Sequence, residues 1–236
     1  MSLKVVLFDL DGTLLPMDMD RFIGYYFKTL GGTMAAHGYE PKALTRVIMK
    51  GTEAMVKNDG TKTNEQAFWD VFASAYGEKA REDEPLLARY YEQDFDQVKA
   101  VVDVSPKSAQ TVAKIKALGL RTALATNPVF PAVATEHRMA WAGLSPDDFE
   151  FYTTYENSSY CKPNPKYYES LLSLLGVAAE ECLMVGNDAI DDLAAEKVGM
   201  KVFLLTDYPY HCEGCDLSVY PQGSFDELMD YIRTLL

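Results

Sequence analysis

Val5-Val6-Leu7-Phe8-Asp9-Leu10-Asp11-Gly12-Thr13-Leu14 is the stretch on which the fold turns. Residues 4–9 form a short apolar, β-branched run, which predicts a buried strand that stops at acids and Gly12. If strand geometry continues through Asp9 and Asp11, both carboxylates leave the same face. Carboxylates that close repel one another unless a cation or a shared proton compensates. Gly12 permits a sharp bend and close approach of backbone to a ligand. An Asp-Gly turn whose acids merely cap the chain has the same sequence, so on these residues alone both readings stand.

Outward from this strand the rhythm changes twice. Between Met17 and Ala100 strand signal is nearly absent, and apolar residues recur at helical spacing. Phe22, Ile23, Tyr26, Phe27 and Leu30 make one stripe, and Leu44, Val47, Ile48 and Met55 a second. Phe68, Trp69, Phe72 and Tyr76 follow, then Leu86, Leu87, Tyr90 and Tyr91. After Val104 helices and strands alternate. Ser105 is the expected N-cap of a helix with Pro106 in its first position, and Gly119 stops it. Strands are predicted at 121–126, 149–154, 182–187 and 201–205, with helices near 131–142, 166–175 and 191–198. A capping box from Ser224 to Glu227 opens the last helix, 225–235. Alternation of this kind implies right-handed crossovers and an α/β three-layer core with a mostly parallel sheet. The expected division is a core at 1–16 and 101–236, interrupted by an all-helical domain at 17–100. In such sheets ligands gather at the carboxyl ends of the strands.

Composition narrows the function classes. Of 236 residues 48% are apolar and 24% charged, which suffices for a folded core without disulfides or structural metal. The formal charge of −13 gives no general attraction for phosphate backbones or anionic lipid, so neither nucleic acid nor membrane is an expected partner. The apolar run at the N-terminus is too short for a membrane span and lacks the shape of a secretion signal, so the expected location is cytoplasmic. Cys212 and Cys215 form a C-x-x-C beside His211, but no second ligand pair follows, and they read as reduced loop cysteines.

Other predicted strand ends also carry polar residues. Thr126 and Asn127 supply a hydroxyl and an amide at the start of a helix, where backbone N–H groups favour an anion. An N-cap followed by Pro128 fits equally. Lys162 lies between Cys161 and the segment Pro163-Asn164-Pro165, and its flanking prolines limit the local backbone. The strand at 182–187 runs into Gly186-Asn187-Asp188-Ala189-Ile190-Asp191-Asp192, whose acids suit a hard cation such as Mg²⁺ or, alternatively, a helix N-terminus.

Taken in order, an Asp-x-Asp-Gly-Thr strand, a Thr ending the next, a following Lys and a last acidic cluster resemble the haloacid dehalogenase-like hydrolase superfamily. The resemblance spans the whole chain, and it implies a Rossmann-like core in which the inserted helices are a cap. It further implies Mg²⁺-dependent phosphoryl transfer, with Asp9 as the nucleophile that forms an aspartyl-phosphate. Asp11 would protonate the leaving oxygen and then activate water. Thr126, Asn127 and Lys162 would bind phosphate oxygens, with Lys162 also restraining Asp9. Metal ligands would be Asp9, Asp11, Asp188 and Asp192, with Asn187 and Asp191 as the alternative pair at the same spacing. Asp11 stands where carbon–halogen-cleaving members carry another residue type, which disfavours dehalogenation. The implied substrate is a small phosphorylated metabolite. A sugar phosphomutase is the enzyme alternative, and a non-enzymatic binding protein of the same fold the other. Arg21, Lys28, Arg46, Lys50 and Lys57 in the insertion are available to meet an anion, although each read singly is a solvated helix face.

Overall fold

The computed structural model describes residues 2–77 and 79–236. The opening apolar run becomes β1 (Val5–Phe8), buried along its whole length. Helices follow: α1 (Met19–Ala35), α2 (Pro41–Val56), α3 (Asn64–Tyr76), α4 (Lys79–Glu82) and α5 (Glu84–Arg89). Local chemistry fixes their starts. The Asp18 carboxylate accepts from Arg21 N at 2.8 Å, and Glu40 accepts from Ala43 N at 2.7 Å just ahead of Pro41. Thr63 and Gln66 exchange hydrogen bonds as a capping box for α3. Beyond α5 the helix widens at Tyr90–Asp94 and tightens at Phe95–Val101, so the stripe through Tyr90 and Tyr91 runs on into buried Phe95 and Val98.

The core resumes with α6 (Lys107–Ala117), β2 (Arg121–Leu124), α7 (Ala132–Trp141), α8 (Pro165–Leu175), β3 (Cys182–Gly186), β4 (Lys201–Leu205), β5 (Gln222–Gly223) and α9 (Phe225–Leu235). The sheet order is β2-β1-β3-β4-β5, every neighbouring pair parallel. Phe8 lies level with Leu124 and Val185, so the loops after β1, β2 and β3 open on one edge. Side chains alternate across the sheet. Val6 and Phe8 pack with Val112, Ile115, Leu228 and Ile232, whereas Val5 and Leu7 pack with Tyr168 and Leu171 on the other face. Among the described residues no helix is long and apolar enough to cross a membrane.

Three sequence expectations change, and one short strand is added to them. The helix expected from Pro106 begins at Lys107, whose N–H reaches Ser105 Oγ at 3.3 Å. Residues 149–154 form no regular strand. They run beside β2 with a single bridge, Leu124 to Tyr152, and three backbone hydrogen bonds involving Glu150, Phe151 and Thr153. Past Thr153 the donors are diverted, Thr154 N to Asn157 Oδ1 at 2.8 Å and Tyr155 N to Phe130 O at 3.0 Å, which ends the ladder. The expected helix at 191–198 is a tight turn of helix, Leu193–Val198, that stops at Gly199. The two-residue β5 escapes periodicity arguments because it is too short to have a period.

Candidate active site

Asp9 follows β1 directly, its N–H donating to Val185 O at 2.9 Å. The chain then turns sharply, Gly12 N to Leu15 O at 2.8 Å and Leu15 N to Leu10 O at 2.8 Å. Gly12 is required twice over. Its φ of 82° is costly for any residue with a Cβ, and a Cβ there would stand 2.3 Å from Asn187 Nδ2. Thr13 Oγ1 donates to Asn187 Oδ1 at 2.9 Å, while Asn187 Nδ2 donates to Tyr208 O at 2.7 Å. Both ends of the Asn187 amide are therefore committed to holding the loops after β1, β3 and β4 together.

Lys162 is the hinge of the polar floor. Its side chain is 1% exposed, and Nζ donates to Asp9 Oδ1 at 2.9 Å and to Asp192 Oδ1 at 2.6 Å. The other Asp192 oxygen accepts from Asn187 N and Asp188 N, each at 3.0 Å. Gly186 makes this approach possible, since a Cβ there would meet Asp192 Oδ2 at 2.0 Å. Asp192 is thus spent on the lysine and on the turn, unlike the open ligand expected at that position. Burial pushes its carboxyl up, with Lys162 pulling in the opposite direction.

Asp188 Oδ1 accepts from Ile190 N and Asp191 N, and Oδ2 meets His211 Nδ1 at 2.8 Å. His211 has a left-handed φ of 49°. Asp191 Oδ2 accepts from Asn127 Nδ2 at 3.0 Å. Burial and the neighbouring Asp188 raise the Asp191 carboxyl from 3.8 to about 6, with Lys162 opposing and Asp9 adding to the rise. Asp9, Asp11, Asp188 and Asp191 all line one cavity of about 630 Å³ between the strand ends and the inserted helices.

Asp11 has a partner that the sequence reading missed. Arg138, on α7 and fully buried, donates Nη1–H to Asp11 Oδ2. Its guanidinium also donates to Ala134 O and Thr135 Oγ1, both at 3.2 Å, and stacks over the Phe130 ring at 4.5 Å. A signal existed, because Arg138 falls on the same helical stripe as buried Ala134 and Trp141. Asp11 Oδ1 is buried and has no partner. Burial raises the Asp11 carboxyl to about 6, Arg138 and Lys162 working against Asp9.

Thr126 and Asn127 stand beyond the end of β2, and both line the cavity. No helix begins there, contrary to expectation. Helix α7 starts at Ala132, and both Glu156 carboxylate oxygens accept from its first N–H at 2.9 and 3.1 Å. Thr126 O is fixed instead by Thr153 Oγ1 at 2.6 Å and Tyr167 OH at 2.9 Å. Asn64, fully buried at the start of α3, donates to Pro128 O at 3.1 Å and Cys161 Sγ at 3.3 Å, tying the insertion to the loops that carry Asn127 and Lys162. Cys212 and Cys215 occupy the loop after β4, half-buried and exposed respectively, with Cys212 Sγ 3.2 Å from Tyr210 O.

The donor chemistry fits a hard cation. Asp9, Asp11, Asp188 and Asp191 bring carboxylates to the floor of the cavity, and Asp11 Oδ1 is buried there without a hydrogen-bond partner. Among the described residues no three His, Cys, Asp or Glu side chains are gathered closely enough to hold a metal ion as they stand.

A family model for haloacid dehalogenase-like hydrolases matches residues 3–199. The pyrophosphatase PpaX of Bacillus cereus (strain AH820) is 26% identical over 201 residues, covering 85% of this chain and 82% of that protein. The structure of a 2-haloacid dehalogenase from Pseudomonas syringae pv. Tomato DC3000 superposes with a TM-score of 0.67 at 21% identity, covering 99% and 100% of the two chains. A protein described as a predicted phosphoglycolate phosphatase from Haemophilus somnus 129PT gives a TM-score of 0.58 at 19% identity, covering 98% of each.

Proposed function

Because this match takes in most of its length, the chain belongs to the haloacid dehalogenase-like hydrolase family, and from that premise we propose that it hydrolyses a small phosphate monoester through an aspartyl-phosphate on Asp9. The observation that carries the reading is the pairing at the end of β1. Asp9 has one oxygen held by a buried lysine and leaves the other toward the cavity, two residues from a carboxyl that burial raises to about 6. A nucleophile so held keeps one orientation without spending both oxygens. A carboxyl displaced upward can carry a proton near neutral pH and pass it on.

In the first half-reaction Asp9 Oδ2 attacks phosphorus, the bond from phosphorus to the leaving oxygen breaks, and Asp11 gives that oxygen its proton. In the second, Asp11 takes a proton from water as the water oxygen attacks phosphorus, releasing inorganic phosphate and restoring Asp9. Arg138 orients Asp11 throughout by gripping Oδ2. Thr126, Asn127 and Lys162 bind the non-bridging phosphate oxygens, and Lys162 also steadies Asp9 against Asp192. Asp9, Asp11, Asp188 and Asp191 would hold Mg²⁺. Asp191 takes the place first assigned to Asp192, which is held by buried Lys162 and two backbone N–H groups, whereas Asp188 would exchange its contact with half-exposed His211 for the cation. Bound there, Mg²⁺ supplies charge neutralisation that lets a dianionic ester approach four carboxylates. The inserted helices serve as the cap, with Asp9 at the bottom of the cavity they cover.

The test is inorganic phosphate release from p-nitrophenyl phosphate and a panel of phosphorylated metabolites, with Mg²⁺ or EDTA, for wild type and Asp9→Asn. Mg²⁺-dependent release that vanishes in Asp9→Asn is expected. Equal release by both proteins removes Asp9 as nucleophile.

A further inference from the structure

The wall of the cavity opposite Asp9 is built by the inserted helices, and its chemistry is lopsided. Phe22, Phe27, Ile48, Phe68, Trp69 and Leu87 face the cavity from four helices. Several of the neutral polar groups among them already have partners, although Trp69 Nε1 is buried without one. Tyr26 OH and Tyr91 OH bond to each other at 2.7 Å, and Thr52 Oγ1 donates to Ile48 O at 3.1 Å. Most of this surface is aromatic or aliphatic carbon, so an apolar leaving group gains by leaving water for it.

Charge on this wall has one sign. Glu65 and Glu84 line it, and Glu156 joins them from the core, fixed by its grip on Ala132 N. Among the described lining residues the basic groups are Lys162 and His211, and both belong to the polar floor. Arg21, Lys28, Arg46, Lys50 and Lys57 are all exposed and none lines the cavity. The carboxylates crowd one another, burial and the neighbouring Glu156 and Glu84 pushing the Glu65 carboxyl up. A second anionic group on the substrate would thus meet like charge in a partly desolvated space.

Resting on the phosphohydrolase reading above, we infer that the substrate is the phosphate ester of a bulky apolar alcohol or phenol, and that esters carrying a second phosphate or a carboxylate are rejected. The phosphoryl group lies on the floor at Asp9, and the leaving group fills the aromatic wall beneath α1, α2, α3 and α5. This separates the chain from pyrophosphate and phosphoglycolate, the compounds in the names of two proteins it resembles.

Binding of phosphonates that cannot be hydrolysed tests the inference without requiring turnover. Isothermal titration of the full chain with Mg²⁺ would compare (1-naphthyl)methylphosphonate with phosphonoacetate and 3-phosphonopropionate. The apolar ligand should bind at least about 10-fold more tightly than either carboxylate-bearing one. Glu65→Lys and Glu84→Lys should each narrow the preference for the naphthyl ligand over phosphonoacetate several-fold. Equal or inverted preference overturns the inference, as does failure of the naphthyl ligand to bind. Parallel assay on p-nitrophenyl phosphate keeps the two readings apart. Phosphate release without apolar preference removes only the substrate class, whereas apolar binding without release from any ester removes only the hydrolytic reading.

Discussion

Replacing Lys162 by Met deletes the one cation between Asp9 and Asp192 while keeping the length of the stem. Two charge-assisted hydrogen bonds, at 2.9 and 2.6 Å, disappear from a side chain that is 1% exposed. Removing one partner of a buried ion pair costs about 3–5 kcal/mol, because the other charge stays buried without compensation. Against a total folding stability of about 5–15 kcal/mol this is a large fraction. The cost depends on pH with a definite sign. Burial already raises the Asp192 carboxyl and Lys162 opposes that rise, so without the lysine the folded-state value moves further up. A carboxyl raised on folding lowers stability once pH exceeds its unfolded value, and the full cost is present above the folded one. The gap between Lys162→Met and wild type should therefore be small near pH 4.5 and widest near pH 8. Urea unfolding in EDTA, followed by circular dichroism, should show a midpoint lower by roughly 1–2 M at pH 8. Adding Asp192→Asn should recover at least about 1 kcal/mol, since it removes one stranded charge. A midpoint near that of wild type at pH 8, or a gap of equal size at both pH values, refutes the buried-triad argument.

Two other perturbations follow from the same geometry. Asp191→Asn removes a carboxyl held at about 6 instead of 3.8, a difference equivalent to about 3 kcal/mol at most for a half-buried group. The metal-free variant should be more stable than wild type by about 1–3 kcal/mol at pH 8 and no more stable at pH 4, measured by thermal or urea unfolding; a loss of stability at pH 8 contradicts the repulsion assigned to Asp191. Arg138→Met strips Asp11 of its guanidinium, the largest influence lowering its carboxyl, so the acidic limb of the kcat profile on p-nitrophenyl phosphate should move to higher pH and kcat should fall roughly 10–100-fold, with Arg138→Lys recovering part of it. An unchanged profile would mean that Arg138 serves packing alone.

The sequence by itself determined the layout. A β-branched run ending in Asp9 and Asp11, glycines and prolines at element ends, and the change from helical to alternating rhythm are local signals, and local signals survive without coordinates. They placed Asp9, Asp11, Thr126, Asn127 and Lys162 on one edge of a parallel sheet, and the structure puts all five around one cavity. Residues 149–154 misled because an apolar run shows strand tendency, not whether a neighbour completes the ladder. Asp188, Asp191 and Asp192 have identical side chains within five residues, and periodicity cannot say which carboxylate is spent on a lysine 30 residues away. Arg138 reaches Asp11 across 127 residues of chain. The sign and polarity of the cavity wall were equally out of reach, since five basic residues of the insertion face solvent while three glutamates face inward. Spacing along the chain sets which face of an element a residue occupies. What that face meets is decided only when the elements pack, because hydrogen bonds and charges act over a few ångströms of space and are blind to sequence distance.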